Sequence, residues 1–218
     1  SDSGGANWEQ IESGVRVWLE DVKFFDVNRG LAVGDNGTIL MTADGGATWR
    51  KIKTNLAENL YALSLADEKT GYAVGGKGTI LKTEDGGETW LTMESSAQMN
   101  LYAIAAFKRG VAIAVGEFGA VLLTQDGGKT WKIQPNVTSN SLQAIAFLGG
   151  TNLWIAGRGG AILKRNEPLA PIDFQSPKVA PILKFGTSKP KLKSRTPLVT
   201  ITDDGDIPTA VEPKKENK

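Results

Sequence analysis

The stretch Thr83-Glu-Asp-Gly-Gly-Glu-Thr-Trp90 decides the fold, because it recurs along the chain at a fixed spacing. Close copies occupy residues 42–49 and 124–131, and a degenerate copy occupies residues 1–8. The four copies end in tryptophans at positions 8, 49, 90 and 131, which are 41 residues apart each time. A fixed period of this length predicts a repeat architecture before any local structure is considered.

The rest of the repeat keeps the same phase. Glycines at positions 34, 75, 116 and 157 each close a short apolar run, and each is followed three residues later by a second glycine and another apolar run. Two strands joined by a tight turn fit this pattern. An upstream apolar segment, such as residues 60–65, and the segment that carries the tryptophan bring the number of strands to four per period. The sequence therefore predicts an all-β fold, a β-propeller of four-stranded blades with four blades in this chain.

The phase of the repeat leaves two arrangements of these blades open. The sequence begins with a copy of the recurring motif. Its periodic part ends after only three strands of the last blade, one strand short of a complete blade. Residues 1–16 can therefore supply the outer strand of the blade begun by residues 141–165, which gives a closed ring and covers its sheet edges. The same phase also fits an open arc of a larger propeller.

Composition divides the chain into two parts and excludes several classes of function. Residues 1–166 form the predicted propeller, whereas residues 167–218 hold eight of the nine prolines and are predicted to be an extended or disordered tail, either a solvated linker or a docking segment. The formal charge of +1 does not favour a nucleic acid partner. There is no apolar run long enough for a transmembrane helix, and no signal peptide is visible.

The recurring motif is predicted to be structural. The carboxylates of Asp44, Asp85 and Asp126 can accept hydrogen bonds from N–H groups in their own turn, and the glycine pair that follows allows positive φ. The tryptophans that end the four copies are expected to be buried between sheets: Trp8, Trp49, Trp90 and Trp131. A calcium loop is the alternative, but one or two carboxylates per motif are fewer oxygens than calcium needs. We therefore expect no metal and no cofactor.

The turns between the second and third strands differ in every copy, and they are predicted to emerge on one face of the propeller together with the connections between blades. Variation at fixed positions of a repeat is typical of binding residues, and also of unconstrained loops. An exposed aromatic residue in such a turn indicates a contact surface. The candidate partner-binding residues are Asp35, Lys77, Glu117, Phe118, Arg158 and Arg16, of which the two arginines are expected to hold a carboxylate or an acidic peptide together.

The first inner strand carries two charged residues, Asp21 and Lys23, where the other copies have alanine or serine. They predict a ligand contact beside the central channel, an ion pair between the two side chains, or charges that are tolerated because this strand lies at the edge of an unclosed arc.

The motif resembles the Asp-box, and the wider unit at residues 73–90 is similar to the repeat of the photosystem II stability and assembly factor propellers, which usually have seven blades. The resemblance implies a noncatalytic scaffold that binds a protein or peptide, such as a subunit of a membrane complex, and assists the assembly of that complex. It also implies an extracytoplasmic location, a thylakoid lumen or a periplasm. The sequence does not indicate an oligomeric state.

The alternative function is an Asp-box glycoside hydrolase or a carbohydrate-binding propeller, because Asp-boxes also occur in sialidases. Enzymes that resemble sialidases need a cluster of arginines and a tyrosine nucleophile with an acidic partner. The three tyrosines of this chain, Tyr61, Tyr72 and Tyr102, stand at ordinary strand positions where packing is the expected role. Histidine and cysteine are absent, which excludes imidazole bases and thiol nucleophiles.

Overall fold

The computed structural model describes residues 8–107, 110–147 and 152–165, and these residues form 15 β-strands. The strands belong to four antiparallel sheets in which each strand pairs with its neighbour in sequence. Three sheets have four strands, and the fourth has three within the described residues. The predicted all-β fold is confirmed, with one sheet for each period of the sequence. None of the described residues belongs to a helix long and apolar enough to cross a membrane.

The first two sheets have the same order and nearly the same strand lengths. The first contains β1 (Leu19–Phe24), β2 (Gly30–Gly34), β3 (Thr38–Thr42) and β4 (Arg50–Ile52). The second contains β5 (Leu60–Leu65), β6 (Gly71–Gly75), β7 (Ile80–Thr83) and β8 (Leu91–Thr92). In both sheets the two middle strands are the most buried.

The last two sheets continue the pattern. The third contains β9 (Leu101–Phe107), β10 (Val111–Gly116), β11 (Val121–Thr124) and β12 (Lys132–Ile133). The fourth contains β13 (Leu142–Phe147), β14 (Leu153–Gly157) and β15 (Ile162–Lys164). The predicted boundary near residue 166 and the predicted tail at 167–218 lie outside the described residues.

Closure of the ring is not seen in the described part of the chain. Residues 8–18 belong to no strand, so no N-terminal strand completes the fourth sheet there. The inner strands β1, β5, β9 and β13 pack in sequence, but β1 and β13 are not a closely packed pair. Trp8 is 90% exposed, so the degenerate motif does not bury its tryptophan. That copy has Ser3 in place of the aspartate, and it therefore lacks the carboxylate that organises the other copies.

The core lies between consecutive sheets, and each sheet uses two different faces to build it. We call the face that packs on the next sheet the forward face; in the first sheet it comprises Leu31, Val33, Ile39 and Met41. We call the face that packs on the preceding sheet the rear face; in the second sheet it comprises Leu60, Leu63, Ala73, Leu81 and Trp90. The same pairing of faces joins the second sheet to the third and the third to the fourth.

The tryptophan of each motif belongs to the rear face of its sheet. Trp90 packs against the core between the first and second sheets. Trp131 is 6% exposed and meets the Tyr72 ring of the preceding sheet edge-on, with 6.0 Å between ring centroids. The predicted burial of the tryptophan between sheets is confirmed at these two positions.

The hydrogen bonds among the threonines, the aspartate and the second glycine of the Asp-box are the same in all three intact copies, whereas the indole N–H donates to a glycine carbonyl at Trp49 and Trp90 but not at Trp131. In the first copy the Thr48 N–H and hydroxyl donate to the two carboxylate oxygens of Asp44 at 2.9 and 2.6 Å, and the Thr42 hydroxyl donates to Asp44 at 2.8 Å. The Gly46 N–H donates to the Thr42 hydroxyl oxygen at 2.9 Å. Gly45 and Gly46 have φ of 73° and 94°, the left-handed conformation that glycine adopts without strain. The hydrogen bonds and the positive φ values expected of a structural box are thus present.

These hydrogen bonds lower the pKa of the box aspartates. The Thr48 hydroxyl and N–H and the Thr42 hydroxyl lower the pKa of Asp44 to about 2. Burial raises the pKa of Asp85, but the donors of Thr89 and Thr83 outweigh it and bring that pKa to about 2. Burial opposes the same donors at Asp126, whose pKa is also lowered. Hydrogen bonds to the ionised carboxylate favour the charged form in each copy.

We expect the protein to lose stability as the pH falls from about 4 to about 2. An aspartate of the unfolded chain has a pKa near 4. The folded pKa of Asp44 and Asp85 is about 2, so the ionised carboxylates stabilise the fold above pH 4 and that contribution is lost as the pH falls through 2. Urea midpoints measured by circular dichroism across this range will show the decline. In Asp85→Asn the urea midpoint should decline less steeply with falling pH. The decline that remains comes from the other boxes and from Asp26, whose pKa is also about 2. An unchanged slope would contradict the assignment.

The two charged residues of β1 form an ion pair, one of the three alternatives that the sequence leaves open. The Lys23 ammonium lies 2.8 Å from one carboxylate oxygen of Asp21. The other oxygen accepts a hydrogen bond at 2.9 Å from the N–H of Leu63, in the second sheet. The Ser64 hydroxyl oxygen accepts from the Ala106 N–H in the third sheet at the same distance of 2.9 Å. These side chains therefore join the inner strands of neighbouring sheets.

Candidate functional site

The four turns between second and third strands share one geometry. In each turn the two central residues have positive φ, as in Lys77 and Gly78 with 51° and 73°. The N–H of the following residue donates to the carbonyl of the preceding one, as Thr79 does to Gly76 at 3.0 Å. These are the features of the type I′ turn, whose twist matches that of the flanking strands. The predicted tight, glycine-bearing turn is thus present in every copy.

Neighbouring turns are tied to one another through the next sheet. The Asn36 N–H donates to the Asn59 side-chain oxygen at 3.0 Å, and the Lys77 N–H donates to the Asn100 side-chain oxygen at 3.1 Å. These two turns therefore lie against the start of the inner strand of the following sheet. We call the surface made by these turns and the adjacent tyrosines the turn face; it comprises Asp35–Asn36, Gly76–Lys77, Glu117–Phe118, Arg158–Gly159, Tyr61 and Tyr102.

Glu117 is held in place by three donors from β9 and the residue before it. Its carboxylate accepts from the Asn100 N–H at 3.0 Å, from the Asn100 amide at 3.1 Å and from the Tyr102 hydroxyl at 2.9 Å. The Asn100 N–H, the Tyr102 hydroxyl and the charge of Arg158 together lower the pKa of Glu117 despite the opposing effect of burial. Glu117 is therefore a fixed anion at neutral pH.

The tyrosines of the turn face are the residues that sequence reasoning missed. Tyr61 and Tyr102 are half-buried and their ring centroids are 5.5 Å apart. Burial and the hydrogen bond to Glu117 raise the pKa of Tyr102, so its hydroxyl stays protonated and donates. Only Tyr72, which is 1% exposed, has the packing role expected for all three.

A β-bulge explains why these tyrosines reach the turn face. In the third sheet Val115 lies opposite Ala103, but the next residue, Gly116, lies opposite Leu101, so Tyr102 is the extra residue. Tyr61 is the extra residue at the same place in the second sheet. A bulge re-aims a side chain that regular alternation would place on a sheet face. The 41-residue spacing of the two tyrosines could have revealed this pair in the sequence, because residues one period apart lie side by side on neighbouring inner strands.

Phe118 is both exposed and conformationally unusual. Its side chain is 66% exposed, and its φ is 54°. The corresponding residues of the other turns are asparagine, lysine and glycine. A left-handed conformation costs a bulky residue about 1–2 kcal/mol, whereas glycine and asparagine adopt it readily. Neither burial nor backbone preference therefore favours a phenylalanine at this position.

The other predicted site residues are spread along the arc. The Lys77 side chain is 74% exposed and its ammonium lies 3.0 Å from a Glu58 oxygen. Arg158 is exposed on the fourth sheet, and Asp35 is half-buried on the first. Arg16 is exposed just before β1. The expectation that Arg16 and Arg158 act together requires a closed ring, which is not seen in the described residues, and it stays a prediction.

The sequence profile of the photosynthesis system II assembly factor YCF48 matches residues 2–135, more than half of the 218-residue chain. The chain belongs to the YCF48 family. The resemblance of the Asp-box repeat to the photosystem II assembly factor propellers is thereby confirmed. Among curated protein sequences no relative matches the chain.

Solved structures show the same fold. One is YCF48 bound to D1 peptide, with 24% identity and a TM-score of 0.58 over 71% of this chain and 54% of that one. Another is YCF48 from Cyanidioschyzon merolae, with 20% identity and a TM-score of 0.52 over 83% of this chain and 75% of that one. The chain thus spans about half the length of the first of these YCF48 structures. An ancestral GH74 enzyme matches with 12% identity and a TM-score of 0.48 over 67% of this chain and 25% of that one, too low to bear on activity.

Proposed function

We propose that this YCF48-family chain is a noncatalytic scaffold that binds a protein or peptide through the turn face and assists the assembly of a membrane-associated complex. The observation that carries the proposal is Phe118, an exposed aromatic residue in a strained backbone conformation. Strain of this kind clusters at binding sites, where it is retained for contact with a partner. An exposed aromatic ring also supplies large contact area at low entropic cost.

The surroundings of Phe118 suit a peptide. The carboxylate of Glu117 and the hydroxyl of Tyr102 are fixed by their mutual hydrogen bond, so they bind without further ordering. Lys77 on one side and Arg158 on the other offer cationic groups that can pair with peptide carboxylates. A YCF48 relative is bound to D1 peptide, which supports a peptide ligand for this chain too. We further propose an extracytoplasmic location, in a thylakoid lumen or periplasm, from the family resemblance.

We expect Phe118→Asn to stabilise the protein and to weaken binding. Asparagine adopts the left-handed conformation readily, as Asn36 does in the first turn, so the free energy of unfolding should rise by about 0.5–1 kcal/mol. Affinity for a fluorescently labelled D1 peptide, measured by anisotropy, should fall about tenfold because the aromatic contact is lost. Arg158→Ala should also weaken binding, more at low salt than at high salt.

A control is Val27→Asn, which removes an exposed apolar side chain (86% exposed, against 66% for Phe118) from the loop between β1 and β2, at the opposite end of the strands. This variant should bind the D1 peptide as the wild type does, and a scrambled D1 peptide should bind neither. Equal affinity of wild type, Phe118→Asn and Arg158→Ala would contradict the turn face as the binding surface. A wild-type protein that does not bind the D1 peptide would contradict a photosystem ligand.

One observation bears on the glycosidase alternative. The Tyr102 hydroxyl lies 2.9 Å from Glu117, the pairing that a tyrosine nucleophile with an acidic partner needs. However, the pKa of Tyr102 is raised, and Arg158 is the one arginine whose charge acts on Glu117 in the described residues. A site for an anionic sugar needs a cluster of arginines, so we favour binding over catalysis. Release of fluorophore from a sialoside substrate, abolished by Tyr102→Phe, would reverse this preference.

A further inference from the structure

A cavity of about 230 Å³ lies between the first and second sheets. One wall is the segment that follows β4, with Lys53, Thr54 and Asn55, and the other wall is formed by residues of β7 and β8 and by Trp90. Both walls belong to sheets that pack on each other within the described residues. Pockets for drug-sized ligands measure about 300–1,000 Å³, so this smaller cavity suits a ligand with a single ring.

The inner end of the cavity is apolar. It is formed by Leu81, which is 4% exposed, and by the indole of Trp90, which is half-buried. The equivalent Trp131 is covered by the Tyr72 ring, which it meets edge-on. In the first sheet the residue equivalent to Tyr72 is the smaller Leu31, so more of the Trp90 indole surface stays free for a ligand.

The outer end of the cavity is polar. Asn55 and Thr92 are exposed, and their side chains make no hydrogen bond to any residue that the structure describes. The Thr54 hydroxyl donates to the Gly37 carbonyl at 2.8 Å, and its oxygen can still accept. Amides and hydroxyls both donate and accept hydrogen bonds. The outer end therefore matches a ligand that carries several hydroxyl groups.

Lys53 gives the outer end a positive charge. It is exposed and forms no ion pair within the described residues, whereas Arg50 in the same segment is paired with Glu88. The equivalent positions of the other copies hold glutamate or proline. The positive charge is therefore a feature of this copy rather than of the repeat, and it favours an anionic ligand.

We propose that this cavity binds a uronic acid, a six-membered sugar ring that carries a carboxylate. One face of such a ring consists of C–H groups and packs on the Trp90 indole, whose N–H already donates to the Gly87 carbonyl at 3.1 Å. The ring hydroxyls exchange hydrogen bonds with Asn55 and Thr92, and the carboxylate pairs with Lys53. The site does not rest on the peptide-binding function proposed for the turn face.

The lining of the cavity disfavours two simpler ligands. A purely apolar fragment would remove water from Lys53 and Asn55 without replacing its hydrogen bonds, which costs free energy. A small inorganic anion would pair with Lys53 but leave the Trp90 indole uncovered, and a single exposed ion pair contributes little. A sugar acid uses both ends of the cavity.

NMR spectroscopy of the 218-residue chain tests the proposal, with D-glucuronate, D-glucose and acetate as probes. The chain has six tryptophans, so its indole N–H signals are few, and the Trp90 signal is the one lost in Trp90→Phe. Glucuronate should shift the Trp90 signal with a millimolar dissociation constant. Glucose should bind about fivefold more weakly because it lacks the ion pair with Lys53, and acetate should leave the Trp90 signal unshifted.

Variants of the outer end test the roles of its residues. Lys53→Gln should lower the glucuronate affinity about fivefold and leave the glucose affinity unchanged. Asn55→Asp keeps the shape of the side chain but adds a negative charge, so it should lower the glucuronate affinity about tenfold. Lys51→Gln is the matched control, because Lys51 is an exposed lysine of β4 that does not line the cavity. At physiological salt, which screens distant charges, it should bind glucuronate as the wild type does.

All three positions are exposed, so these variants should keep the wild-type circular dichroism spectrum. A Trp90 signal that glucuronate does not shift would overturn the site. Equal affinity for glucuronate and glucose would overturn Lys53 as the partner of the carboxylate, and equal affinity for glucuronate and acetate would overturn the sugar ring. Equal losses in Lys53→Gln and Lys51→Gln would show a general attraction of anions to this strand and would also overturn the site.

Discussion

Trp131→Ala is expected to lower the free energy of unfolding by about 3–5 kcal/mol, a large share of the stability of a small domain. The side chain is 6% exposed and belongs to the core between the second and third sheets, where it meets the Tyr72 ring edge-on. Removal of the indole leaves a cavity between two sheets that are fixed by their own backbone hydrogen bonds, and such sheets relax little into it.

The measurement is urea unfolding followed by far-UV circular dichroism, which does not depend on the fluorescence of the residue removed. Trp8→Ala is the matched control, since the same substitution at a 90% exposed side chain should change stability by about 0.5 kcal/mol or less. Similar losses for the two variants would contradict the placement of Trp131 between sheets. The loss of stability in Trp90→Ala should lie between those of Trp131→Ala and Trp8→Ala, because Trp90 is half-buried.

The parts of the structure that followed from the sequence are those set by local chemistry. The Asp-box hydrogen bonds join residues two to four positions apart, such as Thr83 to Asp85 and Thr89 to Asp85, so the motif itself contains both partners. The glycine turns are equally local. Because both features recur every 41 residues, they also fixed the number of sheets and the tryptophans that lie between them.

The parts of the structure that could not be predicted from the sequence depend on contacts between distant segments. Tyr102 reaches Glu117 through a bulge, which alternation along β9 does not reveal. The pairing of Arg16 with Arg158 depended on closure, and the phase of the repeat allowed both a ring and an arc. Variation among the turns drew attention to Phe118, but its left-handed backbone, which supports the proposed binding role further, is visible only in three dimensions.

Gly116→Ala is expected to destabilise the protein by about 3 kcal/mol or more and to disturb the turn face at the same time. A Cβ atom at this position would lie 2.0 Å from the Asn100 carbonyl oxygen and 2.9 Å from the Leu101 Cα. Its φ of −166° is open to any residue, so the cost comes from the collision alone. The carbonyl cannot withdraw freely, because it accepts the Glu117 N–H at 3.0 Å beside the bulge that positions Tyr102.

Gly160→Ala is a control that distinguishes the cost of this collision from the cost of placing alanine in a left-handed backbone conformation. Gly160 has φ of 70° and a Cβ there would meet no atom within 4 Å, so the expected loss is about 1–2 kcal/mol. Urea unfolding gives both values, and D1 peptide affinity gives the second readout. Because Gly116→Ala moves the segment that holds Glu117 and Tyr102, its affinity should fall more than that of Gly160→Ala, which leaves Glu117 and Tyr102 in place. Equal stability losses for the two variants would contradict the close contact between Gly116 and the Asn100 carbonyl. Unchanged affinity of Gly116→Ala would show that the bulge at Tyr102 does not contribute to peptide binding.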